Sequence, residues 1–143
     1  MKKLESILLV DDDQVCNYIN EDIIRVLNAG IKVDTALNGE IALDFLNEHS
    51  NNSPQLILLD LNMPVMDGFE FLDEFKKLPE KIRERIAIVI LTSSDYEKDI
   101  ERARQYHVVS AYITKPLTPE KMVSIMEECF RSNGDGKVMK KEF

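Results

Sequence analysis

The chain has 143 residues, 44% of them hydrophobic and 31% charged, with 5 glycines and 5 prolines. That composition suits one globular domain and excludes a disordered, fibrous or disulfide-built chain. Lys and Arg number 18 against 26 Asp and Glu, a formal charge of −8, so the overall field repels nucleic-acid phosphates and anionic membranes. No apolar run approaches a membrane span, Cys16 and Cys129 form no CxxC pair, and the opening Met1-Lys2-Lys3-Leu4-Glu5 carries no secretory pattern. A soluble protein of the reducing cytosol is expected.

In chain order, the first apolar run is Ile7-Leu8-Leu9-Val10, and Val15, Ile19, Ile23 and Val26 then recur at helical spacing. Asp13 is placed to cap that helix and Gly30 to end it. Ile31–Ala36 alternates in polarity and reads as an edge strand with one wet face, followed by a helix bearing Ala42, Phe45 and Leu46. His49–Gln55 is a polar loop. Leu56-Ile57-Leu58-Leu59 is the next strand, and Asp67-Gly68 opens a helix with Phe69, Leu72 and Phe75 at its period. Ala87–Leu91 is a fourth strand. Ser94 and Glu97 have capping-box spacing ahead of the helix that follows. Ala111-Tyr112-Ile113 is a weaker fifth strand, and Thr118-Pro119 is an N-cap with proline at the first position of a helix containing Met122, Met126 and Phe130. Five βα units, four of them with non-alternating strands, predict an α/β fold, a doubly wound parallel sheet covered by helices on both faces.

Ligands of such a sheet lie beyond the carboxyl ends of its strands. Asp11, Asp12 and Asp13 follow the first strand and Asp60 the third, while Thr92-Ser93 and Thr114-Lys115 follow the fourth and fifth. With Asp13 set aside as a cap, three carboxylates, a hydroxyl and an ammonium share one rim. Two carboxylates about 4 Å apart repel by roughly 4 kcal/mol at an effective dielectric near 20, so a proton or a cation must intervene. An all-oxygen set favours a hard ion such as Mg²⁺. Lys115 and Thr92 suit a phosphoryl group, and a carboxylate can act as nucleophile to give an aspartyl-phosphate.

Four segments together, Ile7–Asp13, Leu58-Leu59-Asp60-Leu61-Asn62-Met63-Pro64 with Asp67-Gly68, Leu91-Thr92-Ser93-Ser94, and Tyr112-Ile113-Thr114-Lys115-Pro116, resemble a two-component response-regulator receiver domain of the single-domain, chemotaxis-regulator type. The resemblance spans residues 5–130. It implies a flavodoxin-like, three-layer α/β/α fold with strand order 2-1-3-4-5, which the hydrophobic pattern alone does not supply. It further implies that Asp60 accepts a phosphoryl group from a phosphohistidine. Mg²⁺ would be held by Asp12, Asp60 and the Asn62 carbonyl, with Asp11 holding metal-bound water. Thr92 and Lys115 would contact the phosphoryl oxygens, Tyr112 would swing inward as Thr92 moves, and Lys115-Pro116 would be cis. The implied partners are a histidine kinase or histidine phosphotransfer protein and a downstream protein target. A homodimer on the face formed by the fourth helix, fifth strand and fifth helix is the other outcome. Nothing resembling an output domain follows the fifth helix, so direct nucleic-acid or membrane binding is not expected.

Plainer readings stand beside these. Ser93 and Ser94 could simply cap, Tyr112 could be a strand aromatic with its hydroxyl in water, and His49, His107, Cys16 and Cys129 read as packing or surface residues. Asn133, Asp135, Gly136, Val138 and Glu142 imitate part of a calcium-binding loop, but Arg131 occupies its first ligand position, so residues 131–143 read as a mobile tail. An alternative function is an Mg²⁺-dependent phosphatase of the haloacid-dehalogenase type with an aspartate nucleophile, since Asp11-Asp12-Asp13-Gln14-Val15 has its spacing; the expected cap domain is missing. A flavin or dinucleotide carrier would need a glycine-rich loop after the first strand.

Overall fold

A computed structural model describes residues 3–129. The elements run β1 (Ser6–Val10), α1 (Gln14–Leu27), β2 (Lys32–Ala36), α2 (Gly39–Glu48), β3 (Leu56–Leu59), α3 (Gly68–Phe75), α4 (Glu80–Arg83), β4 (Ala87–Thr92), α5 (Glu97–Arg104), β5 (Val109–Thr114) and α6 (Pro119–Cys129). The five strands form one sheet in the order β2-β1-β3-β4-β5, and every pair is parallel. This is the doubly wound sheet the strand runs predict, in the order the family resemblance implies.

Successive residues of a strand point to opposite faces, so a strand covered on both sides must be apolar at every position. Leu8, Val10, Ile57, Leu59, Ile88 and Ile90 go to one side, where Ala42, Leu46, Phe71, Leu72 and Phe75 meet them. Ile7, Leu9, Leu56, Leu58, Val89 and Leu91 go to the other, against Ile24, Met122 and Ile125. Each such side chain contributes about 1.5–3 kcal/mol on burial. Edge strand β2 carries the mixed pattern expected of it, with Lys32 and Thr35 exposed and Ala36 buried.

Capping sets several boundaries. Asp13 accepts from the Val15 and Cys16 N–H groups. Asp67 and Glu70 form a reciprocal capping box at α3, and the Thr118 hydroxyl accepts from Lys121 N–H at 3.1 Å.

Four expectations change. α1 stops at Leu27, where Asn28 donates to the Ile24 carbonyl and then uses its side chain to accept from Gly30 N–H, so Gly30 lies beyond the cap and does not form it. Ser94 and Glu97 make no capping box, because α5 begins one residue after Tyr96; Ser94 instead accepts from Tyr96 N–H and donates to Asp99 at 2.6 Å. The single turn α4 has only Ile82 buried, too little to leave a periodic signal. It raises the helix count, so the face expected from the fourth helix, fifth strand and fifth helix is α5, β5 and α6.

The largest difference is in α1. Three of the four residues of its helical apolar stripe face outward, Val15 (66% exposed), Ile19 (51%) and Val26 (79%), with Tyr18 (72%) beside them; Ile23 is partly buried against the core, and Asn17, Asn20 and Ile24 are buried. Phe130 and the expected tail over 131–143, with its imitation of a calcium loop, lie outside the described residues.

Candidate functional site

The central strands β1 and β3 end side by side, and the ladders run one residue further: Asp60 N–H donates to the Val10 carbonyl at 2.9 Å, and on the other side of β1 Asp11 N–H donates to the Ala36 carbonyl of β2 at 3.0 Å. Those bonds carry Asp11 and Asp60 to the same edge. Asp11, Asp12 and Asp60 place carboxylate oxygens within 4.8 Å of one another, with Asp11 and Asp60 buried and Asp12 exposed. Asp13 is engaged as the α1 cap.

Lys115 reaches this edge from β5, whose register is extended by Lys115 N–H donating to the Thr92 carbonyl at 2.8 Å. The Lys115-Pro116 peptide is cis. Lys115 Nζ lies 2.6 Å from Asp11 Oδ2 and 3.5 Å from Asp60 Oδ2, so its tight ion pair is with Asp11. Burial acts to lower the Lys115 pKa, but the hydrogen bond to Asp11 and the charges of Asp60 and Asp11 outweigh it and keep the ammonium charged well above the usual lysine range.

Asp60 shifts the other way from a satisfied carboxylate. Burial raises its pKa, Asp11 adds to the rise, and Lys115, the Thr92 hydroxyl and Leu61 N–H only partly offset it. Three carboxylates against one ammonium leave an excess of negative charge at a buried edge. An all-oxygen, carboxylate-rich set with that deficit fits a hard divalent cation.

Asp60 is held from behind. Its Oδ1 accepts from Leu61 N–H at 2.8 Å. A Cβ on Gly68 would stand 2.5 Å from the Asp60 carbonyl oxygen and 2.8 Å from Leu61 Cα, so only glycine lets α3 come this close. Between them Asn62 is exposed, two residues past Asp60. Met66 N–H then donates to the Pro64 carbonyl at 2.7 Å, a γ-turn that sets Val65 at φ 69°, a region β-branched residues rarely occupy. The Met66 carbonyl accepts from Gly39 N–H at 3.0 Å and ties this loop to α2.

Thr92 is fully buried at the end of β4 and accepts from Ser94 N–H at 3.3 Å. Tyr112 is also buried, and its hydroxyl donates to the Ser94 carbonyl at 2.8 Å, so the reading that left this hydroxyl in water is corrected. Ser94 thus joins Thr92, Tyr112 and Asp99, a link invisible in sequence because it spans 18 residues.

The structure gathers Asp11, Asp12, Asp60, Thr92 and Lys115 as the sequence predicts. Sequence reasoning missed Cys16, whose thiol is pushed up by burial and by Asp11, with which it hydrogen-bonds. It also missed Asn17, which donates to the Asp11 carbonyl at 2.9 Å. Their positions in the first turn of a helix that starts at the acidic loop are the available signal. Cys129 packs as expected, its thiol pushed up to about 12 by burial and then by Glu128. His49 stacks on Phe45 and His107 is exposed. Among the described residues no helix is long and apolar enough to cross a membrane.

A family model described as the response regulator receiver domain matches residues 7–127. Response regulator Rcp1 of Synechocystis sp. is 35% identical over 113 residues, 76% of this chain and 75% of that protein. The crystal structure of the Mn²⁺-bound form of response regulator Rcp1 is similar at TM-score 0.71 and 32% identity, over 90% of this chain and 96% of that one. A two-component response regulator from Cytophaga hutchinsonii is similar at TM-score 0.79 and 31% identity, over 86% and 94% of the two chains. The phosphorylated cyanobacterial phytochrome response regulator RcpA gives TM-score 0.73 and 34% identity, over 91% and 96%. With the sheet order, the acidic edge and the lysine in place, the chain belongs to the response-regulator receiver family, the signalling domain of two-component systems.

Proposed function

We propose that this receiver domain takes a phosphoryl group onto Asp60 from the phosphohistidine of a histidine kinase or histidine phosphotransfer protein. The observation that carries the reading is the convergence of three carboxylates, Asp11 and Asp60 buried and Asp12 exposed, on one edge served by a single ammonium, Lys115. Asp11, Asp12, Asp60 and the Asn62 carbonyl would hold Mg²⁺, which when bound supplies positive charge against phosphoryl oxygens. A Mn²⁺-bound Rcp1 and a phosphorylated RcpA among the relatives support both parts.

Asp60 acts as nucleophile: its oxygen bonds to phosphorus, the donor's P–N bond breaks, and the electron pair leaves with the imidazole. Lys115 brings a point charge to the incoming group, and the Thr92 hydroxyl moves from Asp60 to a phosphoryl oxygen. Leu61 N–H and the Gly68 contact keep Asp60 from turning away. Thr92 then pulls on Ser94, which carries the change to Tyr112 and α5. The α5, β5 and α6 face thereby alters its affinity for a downstream protein or a second copy.

We take the receiver unit as residues 5–130 with 131–143 appended. Its action is cytoplasmic, it performs no turnover beyond its own phosphorylation and dephosphorylation, and it contacts neither nucleic acid nor membrane. The phosphatase alternative loses its second aspartate, because Asp13 is committed to the α1 cap.

Mass spectrometry after acetyl phosphate and Mg²⁺ tests the reading. One phosphoryl adduct is expected on wild type and none on Asp60→Asn; equal labelling of both defeats it. Size-exclusion chromatography before and after reads the homodimer.

A further inference from the structure

Helix α1 buries two asparagines, and one of them reaches the acidic loop. Asn17 is 4% exposed, and its Nδ2 donates to the Asp11 carbonyl at 2.9 Å. That carbonyl belongs to the peptide plane that precedes Asp12. The Asp11 side chain is separately fixed, by Asp13 N–H at 2.9 Å and by Lys115. Asp12 is exposed, so the backbone that carries it sets where its carboxylate stands.

The other end of the carboxamide is unsatisfied: Asn17 Oδ1 is buried with no hydrogen-bond partner. An orphaned acceptor works against folding; a leucine of similar size would remove it, at the loss of the donor to the Asp11 carbonyl. A side chain that is a poor choice for packing, standing one hydrogen bond from the acidic residues, points to a role in the site.

We propose that Asn17 is a positioning residue for divalent-ion binding: by holding the Asp11–Asp12 peptide plane, it aims Asp12 at the ion shared with Asp11 and Asp60. The inference rests on the Mg²⁺ reading given above. Groups that orient metal ligands from behind typically change affinity by about 10–100-fold when removed.

The test is an NMR-monitored Mg²⁺ titration, with thermal melts, of wild type, Asn17→Leu and Asn20→Leu. Asn20 is the matched control, buried in the same helix with its Nδ2 on Cys16 Sγ at 3.6 Å instead of on the loop. Asn17→Leu is expected to raise the Mg²⁺ Kd roughly tenfold with a Tm close to that of wild type, one unsatisfied acceptor being exchanged for another, and Asn20→Leu to leave the Kd alone. Should Asn17→Leu fail to fold, the more adaptable Asn17→Met takes its place. A wild-type Kd in the Asn17 variant, or equal losses in the Asn17 and Asn20 variants, overturns the inference while leaving the function intact. Absence of Mg²⁺ binding by wild type overturns the metal reading and this inference with it.

Discussion

Helices α1 and α3 both start from capping aspartates, Asp13 and Asp67, and both follow an acidic strand end, yet they treat their side chains oppositely. α3 turns Phe69, Phe71, Leu72 and Phe75 inward and joins the larger core. α1 turns Asn17 and Asn20 inward along with Ile24, and leaves Val15, Tyr18, Ile19 and Val26 in solvent. The hydrophobic effect places α3 along its length, whereas α1 divides: Asn17 bonds the loop at its start, and Ile23, Ile24 and Leu27 pack into the core further along. A helix-period stripe therefore identifies a helix without revealing which stripe is buried.

The sharpest way to break this contrast is to truncate one member of each. Phe71→Ala in α3 is expected to cost about 3–5 kcal/mol in denaturant unfolding. Ile19→Ala in α1, apolar by the same sequence criterion, should stay within about 0.5 kcal/mol; a loss near that of Phe71 would refute the outward orientation. Gly68→Ala comes next. Its Cβ must displace the Asp60 backbone, with an expected loss of about 1–3 kcal/mol from overpacking and slower labelling of Asp60 by acetyl phosphate.

Val65→Gly should go the other way. Relief of about 1–3 kcal/mol at φ 69°, less the roughly 0.5–1 kcal/mol of extra glycine entropy, leaves a gain near 1 kcal/mol in the same unfolding measurement.

The pH dependence refines the charged end of the comparison. The Asp60 carboxyl titrates higher in the folded chain than in the unfolded one, so its ionised form opposes folding, fully so above the folded pKa. Below the ordinary carboxylate range it is protonated in both states and the penalty vanishes. Without divalent ions, Asp60→Asn should raise Tm at neutral pH, with the gain fading as pH falls through the carboxylate range. A gain that grows on acidification would reverse the assigned sign.

The strand runs were legible because a doubly covered parallel strand has no polar positions, and Leu56–Leu59 and Ala87–Leu91 have none. The acidic edge was legible because Asp11, Asp12, Asp60, Thr92 and Lys115 each sit at the end of a strand or within two residues past it. The order 2-1-3-4-5 came from resemblance, since periodicity carries no information on which strands are neighbours. Three details escaped for definite reasons. α4 is one turn long, Ser94 serves Asp99 through its side chain and not a helix N–H, and the Tyr112 hydroxyl finds a carbonyl distant in sequence. The inward asparagines of α1 escaped because their partners are set by tertiary packing.

Helix α5 has Ala103 as its single fully buried residue, with Ile100 partly buried on the core; polar ties add to these, Ser94 to Asp99 and Arg102 over the Phe69 ring at 4.1 Å, while Tyr106 just beyond it donates to Asp73 at 2.8 Å. Such fastenings trade readily for water, whereas a greasy seam does not. Repositioning this segment would exchange weak links with the sheet beneath left untouched, which makes it the lever on which the proposed pull from Thr92 would act.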